Sequence, residues 1–260
     1  MSATRRNFLM SAAALGTITL LPFRAGAAGM AAHSFKGSGG EIAIHPVSHA
    51  SFVMTTPMGT IYSDPVGGAE LYSGLPKPDL ITVTHRHGDH YNADTLKAFG
   101  DTPILTNADV HGMMDEGLKG RSSVIAPGGG MDWKGARIDA IPAYNLAADR
   151  QNFHPKARGD NGYVLSLAGL RVYISGDTED IPEMRALKDI DVAFICMNLP
   201  FTMTADAAAS AVAEFKPKYV YPYHYRGRDG GTQDPKAFAK MVGDAAEVKL
   251  VDWYPKDDSL

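Results

Sequence analysis

One six-residue segment, His85-Arg86-His87-Gly88-Asp89-His90, constrains this chain more than any other feature. It follows directly after an apolar run that is typical of a short buried strand, so its side chains extend from the end of that strand. Side chains two apart on extended backbone point the same way, so His85 and His87 can hold one metal ion. Asp89 and His90 lie on the turn beyond and can face a second ion. The segment therefore predicts a metal site at the end of this strand.

Histidines and carboxylates have to supply such a site, because the chain has nine histidines and a single cysteine, Cys196. One cysteine excludes an intramolecular disulfide and a zinc site built from cysteines. Cys196 itself lies in an apolar run, which favours an inert buried thiol. The chain carries 25 basic and 29 acidic residues and shows no basic stripe, so we expect no nucleic-acid partner. A hydrophobic content of 45% is typical of a globular protein.

The first 27 residues predict an export signal. The pair Arg5 and Arg6 precedes an apolar run from Phe8 to Leu21, and residues 25–27 (Ala-Gly-Ala) offer a signal peptidase a cleavage site. This arrangement resembles a twin-arginine signal, which implies the twin-arginine export machinery as a partner and the bacterial periplasm as the destination. The run is shorter than the ~20 apolar residues that span a bilayer, so we expect no stable membrane anchor. The alternative is an amphipathic N-terminal helix or an uncleaved anchor.

The rest of the chain, residues 28–260, predicts a single α/β domain of two sheets covered by helices. Strand-like runs dominate its first half, and later strands alternate with helical segments. Lys36–Gly40 is interpreted as a flexible entry and Gly128–Gly130 as a turn. The predicted helices cover residues 92–99, 108–118, 180–187, 204–215 and 235–242.

Further motifs arrive in order along the chain. Residues 174–178 read Ile-Ser-Gly-Asp-Thr, residues 221–225 read Tyr-Pro-Tyr-His-Tyr, and His-Ala-Ser at 49–51 and Asp-Pro at 64–65 come early. With the histidine segment, they resemble the metallo-β-lactamase superfamily of metal-dependent hydrolases. Thr-Met-Thr at 202–204 favours the branch of L-ascorbate-6-phosphate lactonase and N-acyl-phosphatidylethanolamine phospholipase D. The resemblance implies an αββα sandwich, two packed β-sheets flanked by helices.

The resemblance also implies two divalent metal ions, Zn²⁺ first, with Mn²⁺ or Fe²⁺ as alternatives. Two ions lower the pKa of a shared water enough to supply hydroxide at neutral pH. Metal-bound hydroxide would attack a lactone, amide or phosphoester of a small substrate, and Asp89 would orient it as the catalytic residue. The implied ligands are His85 and His87 for the first ion, Asp89, His90 and His224 for the second, and Asp177 between them.

The chain departs from the superfamily pattern at one ligand. A further histidine is usual about 60 residues after the histidine segment, whereas this chain has Asn145 there. His154 is the nearest histidine. If neither supplies an imidazole, the first site has only two, and harder ions than Zn²⁺ become acceptable. Asn145 and His154 are therefore both candidate ligands.

Other candidates have alternative interpretations. Arg226 and Arg228 closely follow the late histidine and could bind an anionic substrate group, or they could simply be solvated. Asp64 could hydrogen-bond a metal-binding histidine or serve as a turn residue before proline. His49 could line the pocket, hydrogen-bond a ligand, or have a structural role.

Three functions compete with the hydrolase. The main alternative is a relative that binds metal without catalysis, its first site being degraded, although the retained Asp89 argues for chemistry. A flavodiiron-type redox protein would carry an acid within the histidine segment, and His87 argues against it. A nuclease of the same superfamily would share the motif, but the acidic charge and the predicted export argue against that function.

Overall fold

Two seven-stranded β-sheets form the centre of the structure, a computed structural model that describes residues 33–254. The strands of the first sheet lie in chain order, antiparallel from β1 to β4 and parallel from β4 to β7. Its members are β1 (His33–Gly37), β2 (Gly40–Ser48), β3 (Ser51–Thr56), β4 (Gly59–Ser63), β5 (Leu80–Thr82), β6 (Ile104–Thr106) and β7 (Ser122–Val124).

The second sheet has the same plan, with antiparallel strands from β8 to β11 and parallel strands from β11 to β14. Its members are β8 (Gly130–Trp133), β9 (Ala136–Ala143), β10 (Asp160–Leu167), β11 (Leu170–Ile174), β12 (Val192–Cys196), β13 (Tyr219–Tyr223) and β14 (Glu247–Val248). The parallel strands of each sheet end at one edge, and the predicted metal-site residues follow them.

The helices lie between the parallel strands of the two sheets along the chain. Side chains cap several of them, because helix N-termini leave backbone donors without partners. Asn92 accepts from the backbone N–H of Thr95, and Thr204 accepts from that of Ala207. The helices are α1 (Ala93–Ala98), α2 (Ala108–Met113), α3 (Glu116–Lys119), α4 (Pro182–Arg185), α5 (Ala205–Phe215) and α6 (Pro235–Val242).

The apolar core between the sheets contains a column of aromatic rings. Phe52 of the first sheet stacks on Phe194 of the second at 4.2 Å between ring centroids, and Phe194 stacks on Tyr221 at 4.8 Å. Trp253 is fully buried against the same rings. Burial of such rings contributes strongly to stability and fixes the sheets face to face.

The predicted sandwich of two sheets flanked by helices is confirmed, with three local differences. The expected helix 108–118 is two helices, because the backbone at Met114 is extended and Asp115 caps a new helix. Lys36–Gly40 is the tight turn of a β1–β2 hairpin. Gly130 begins β8 rather than ending a turn. The predicted signal at residues 1–27 lies outside the described residues, and within residues 33–254 no helix is long and apolar enough to cross a bilayer.

Candidate metal centre

Strand ends of both sheets bring the predicted ligands together. The histidine segment follows β5, Asp177 follows β11, and His224 follows β13. Gly176 precedes Asp177 with φ +60°, and a Cβ there would lie 2.9 Å from the carbonyl oxygen of Asn161. Glycine is therefore required at 176. His224 has φ +49°, a strained conformation that is typical of functional sites.

The first group of ligand atoms comes from His85, His87, His154 and Asp177, all within 4.8 Å of one another. Nε2 of His85 lies 3.1 Å from Nδ1 of His87 and 3.9 Å from Oδ2 of Asp177. Nε2 of His154 lies 3.4 Å from the same carboxylate oxygen. Three imidazoles and one carboxylate are ligands that Zn²⁺ accepts, so this group could hold one ion.

The second group comes from His90, His224 and Asp177. Nε2 of His90 and Nε2 of His224 each lie 3.3 Å from Oδ1 of Asp177. Oδ2 of Asp89 lies 3.3 Å from Nε2 of His224. The two oxygens of Asp177 thus face different groups, and this carboxylate lies between two positions that could each hold an ion.

Four buried atoms in this cluster have no hydrogen-bond partner among the described residues. They are Nε2 of His90, Nε2 of His154, Nε2 of His224 and Oδ1 of Asp177. Buried polar atoms are normally hydrogen-bonded, and leaving one without a partner costs about 1–3 kcal/mol. Nitrogen and carboxylate oxygen atoms left without partners at one place fit divalent metal ions, which would satisfy them together.

The electrostatics divide the histidines into two sets. Burial disfavours a charge on His224, but Asp177 outweighs burial and raises the pKa to about 9. The same balance raises the pKa of His90 well above its usual value. His87 differs, because burial and the neighbouring His154 lower its pKa to about 4. Burial opposes ionisation of Asp177, yet His224 and His90 hold its pKa well below the usual range. Asp177 is therefore ionised at neutral pH, as a metal ligand must be.

Asp64 lies behind the second group and is fully buried. Its Oδ2 accepts from Nδ1 of His90 at 2.8 Å and from the Thr84 hydroxyl at 2.7 Å, while Oδ1 accepts from the Thr84 backbone N–H at 2.7 Å. The Thr84 hydroxyl also lies 3.1 Å from Nδ1 of His85. A carboxylate on Nδ1 keeps a proton there, so the lone pair that a neutral His90 offers to a metal lies on Nε2. Asp64 thus has the contacts expected of a residue that orients a metal-binding histidine.

Asp160 occupies a comparable place behind the first group. It lies at the start of β10, is 1% exposed, and has Oδ2 3.6 Å from Nδ1 of His154. Arg158 pairs with this carboxylate and lies 3.2 Å from Nδ1 of His154 and 3.4 Å from Nε2 of His87. The closeness of Arg158 to His154 along the chain suggests an anion-binding residue at the pocket rim, but here it contacts Asp160 and the ligand histidines. Asp160 was not predicted as a neighbour of the ligands, because its distance from the histidine segment along the chain conceals the contact.

Asn145 lies where the superfamily usually has a histidine ligand. In this structure His154 supplies the third imidazole of the first group. The Asn145 amide donates to the carbonyl oxygens of Arg150 at 2.9 Å and Phe201 at 2.7 Å, and its backbone N–H donates to the carbonyl oxygen of His154. Glu179 also holds this loop, because it pairs with Arg150 at 2.9 Å. The geometry does not support a first site with only two imidazoles.

A cleft of about 810 Å³ opens over the cluster. Arg226 and Arg228, the residues that the sequence suggests for binding an anionic group, both line it. The guanidinium of Arg226 lies 4.0 Å from the ring centre of Tyr254, and that of Arg228 lies 5.3 Å from the ring centre of Phe201. Aromatic faces attract guanidinium groups and hold them in place. The cleft therefore presents two oriented cations beside the candidate metal positions.

His49 also lines this cleft. Its Nε2 lies 3.3 Å from Oδ2 of Asp89, and its Nδ1 lies 2.8 Å from the Tyr254 hydroxyl. Burial and His224 lower its pKa to about 4, although Asp89 opposes the shift. His49 thus contacts a candidate ligand, one of the roles that the sequence left open for it.

The fold and the cluster define a metal-dependent hydrolase of the two-sheet sandwich type. The beta-lactamase superfamily domain matches residues 43–224, and the chain belongs to the metallo-β-lactamase superfamily. A UPF0173 metal-dependent hydrolase from Thermococcus onnurineus is 34% identical over 179 residues, which cover 66% of this chain and 78% of the relative.

Solved structures agree with this assignment. A protein from Parabacteroides distasonis, described as a metal-dependent hydrolase, is 39% identical with a TM-score of 0.74, covering 85% of this chain and 97% of that one. Igni18, a metallo hydrolase from Ignicoccus hospitalis, shares the fold at 23% identity and a TM-score of 0.67, covering 81% and 95%. The predicted superfamily and enzyme class are confirmed, while the narrower branch stays a prediction.

Proposed function

We propose that this hydrolase cleaves a lactone, amide or phosphoester bond in a small anionic substrate, with two divalent ions bound by the cluster. The observation that carries the proposal is the position of Asp177. Its two carboxylate oxygens face two separate groups of histidine nitrogens at the floor of the cleft. A carboxylate in this position can be shared by two neighbouring ions, the arrangement that two-metal hydrolysis uses.

The residues present fit this ion pair. His85, His87 and His154 would hold the first ion, and Asp89, His90 and His224 would hold the second, with Asp177 shared. Bound divalent ions would activate a water at neutral pH and polarise the bond under attack. Three imidazoles at the first position favour Zn²⁺, with Mn²⁺ and Fe²⁺ as the alternatives.

The chain's own residues then have separate tasks. Asp89 lies at the cleft wall between His49 and His224, where its carboxylate can orient the attacking water. Arg226 and Arg228 line the same cleft and can bind a phosphate or carboxylate of the substrate through paired N–H groups. Binding there would place the bond under attack above the cluster.

Metal analysis and a substrate panel test the proposal. We expect two equivalents of metal per chain in the purified protein, and turnover of at least one of three anionic substrates: a lactone that carries a carboxylate, an N-acyl amino acid and bis(p-nitrophenyl) phosphate. Chelation should abolish turnover, and returning the metal should restore it. Arg226→Ala should raise KM for an anionic substrate about tenfold, the cost of one charged hydrogen bond. Turnover that survives complete chelation would contradict the proposal.

We also propose that the protein is exported through the twin-arginine route. Arg5, Arg6 and the small residues at 25–27 support this proposal, and they lie outside the described residues. Export with cleavage would place the hydrolase domain in the periplasm.

A further inference from the structure

A chain of three hydrogen bonds connects the cleft rim to Asp89. The backbone N–H of Arg226 lies 3.2 Å from the Tyr254 hydroxyl, which lies 2.8 Å from Nδ1 of His49. Nε2 of His49 lies 3.3 Å from Oδ2 of Asp89. Tyr254 is thus connected to the candidate metal centre through one histidine.

The chemistry of the groups gives this chain a direction. The Asp89 carboxylate can only accept, so Nε2 of His49 has to donate. A neutral imidazole carries one N–H, so Nδ1 has to accept from the Tyr254 hydroxyl. The hydroxyl oxygen in turn accepts from the Arg226 backbone N–H. Each donor therefore has one acceptor, and the His49 tautomer is determined.

Backbone contacts hold His49 and Tyr254, the two side chains in the middle of this hydrogen-bond chain, in place. His49 has φ +55°, and its backbone N–H donates to the carbonyl oxygen of Trp253 at 2.9 Å. Trp253 is fully buried in the core, which anchors the segment that carries Tyr254. The His49 ring also lies against that of His224, with 3.9 Å between ring centroids.

We propose that Tyr254 and His49 are positioning residues, whose hydrogen-bond chain holds the Asp89 carboxylate in its place at the metal centre. The inference rests on the proposed function, because Asp89 is there a ligand of the second ion. It adds Tyr254, which lies beyond the matched superfamily domain at residues 43–224. Tyr254 has a second task, since its ring also carries the guanidinium of Arg226.

Titration with Co²⁺, followed by its visible absorption, tests the chain without a substrate. His49→Asn keeps a residue that tolerates a positive φ but is too short to reach Asp89. It should weaken Co²⁺ binding at one of two sites by about 10–100-fold, as loss of an outer hydrogen bond does. His49→Gln places an amide N–H near the position of Nε2 and should recover most of the loss.

Tyr254→Phe should weaken binding at the same site by a smaller factor and shift the Co²⁺ absorption. Tyr225→Phe is the matched control, because its ring contacts Tyr254 while its hydroxyl takes no part in the chain. With bis(p-nitrophenyl) phosphate, Tyr254→Phe should lower kcat and leave KM unchanged, whereas Tyr254→Leu should also raise KM through loss of the ring beneath Arg226. Thermal unfolding checks that each variant is folded.

The outcomes separate the possible failures. If the parent protein binds no Co²⁺, both the proposed function and the positioning role of the hydrogen-bond chain are refuted. If the parent binds two ions and Tyr254→Phe titrates like the parent, the positioning role of the hydrogen-bond chain is refuted, but the proposed function is not. Equal losses in His49→Gln and His49→Asn would mean that His49 is itself a ligand, which also overturns a positioning role.

Discussion

Replacing Asp64 with Asn tests how the outer contacts control the metal ligands. The substitution keeps the shape of the side chain, and Asn tolerates the φ of +44° at this position. With Oδ1 still facing the Thr84 backbone N–H, the new amide N–H₂ replaces the oxygen that accepts from His90 and from the Thr84 hydroxyl. His90 then has to accept at Nδ1, so its proton moves to Nε2. That atom is the proposed ligand, and the variant should hold the wrong tautomer.

The size of the effect follows from the bond that is lost. A hydrogen bond to a charged group contributes about 1.5–3 kcal/mol, and each 1.4 kcal/mol corresponds to about a tenfold change in affinity. Metal affinity at the second site should therefore fall about 10–100-fold. The metal-free protein should lose less stability, because Nε2–H of His90 can donate to the Asp177 oxygen 3.3 Å away.

The assay is Zn²⁺ competition with a chromophoric chelator, with thermal unfolding of the metal-free proteins beside it. Asp191→Asn is the matched control. Asp191 is also largely buried, and it accepts from the Arg171 backbone N–H at 2.8 Å and from Lys218 at 2.6 Å. It precedes β12, at the end of the sheet away from the cluster, so its loss should lower stability and leave metal affinity unchanged. A folded Asp64→Asn protein that binds two ions as tightly as the parent would refute the reasoning.

Three further predictions concern a metal ligand, the dependence on pH and the export signal. His154→Ala should weaken metal binding about 100-fold or more, since it removes a ligand rather than an outer contact, and Lys156→Ala on the same loop should not; equal metal content in both would contradict the assignment. Metal affinity should rise between pH 6.5 and 9, because His224 in the metal-free protein has a pKa of about 9 and must release its proton to bind. The same group stabilises the metal-free protein fully below pH 6.5, and that contribution is lost as the pH rises through about 9, which thermal unfolding across this range would detect. Replacing Arg5 and Arg6 with Lys should retain the precursor in the cytoplasm, and normal appearance of mature protein in the periplasm would disprove the export route.

Local patterns in the sequence predicted much of the fold and the candidate ligands that the structure brings together, but not most of the residues behind them. The histidine segment is readable because all its ligands lie within six residues, after a run whose burial is clear from composition. The glycine-rich turn at 36–40 was harder, since glycines suit both a flexible segment and a tight hairpin. The strand after this turn, β2, is recognisable from the sequence. The strand before it, β1, lies at the edge of the sheet and has only β2 to pair with.

Contacts between distant segments were not predictable in the same way. His49 and Tyr254 are 205 positions apart, and their contact depends on the burial of Trp253 beside the β2–β3 turn. Asp160 is likewise an ordinary acid in the sequence. Its place behind His154 results from the register in which β10 pairs with β9. Such residues gain their roles from the packing of the two sheets.

The missing histidine at 145 shows why spacing alone cannot define a metal site. A ligand has to reach a position in space, and a loop can deliver it from several places in the chain. Here the loop after β9 continues past Asn145, whose amide binds two carbonyl oxygens and thereby secures the loop. Glu179, two residues after Asp177, pairs with Arg150 and accepts from the backbone N–H of Leu146. The loop that carries His154 is thus fastened to the turn that carries the shared carboxylate, and the two ligands are positioned relative to each other.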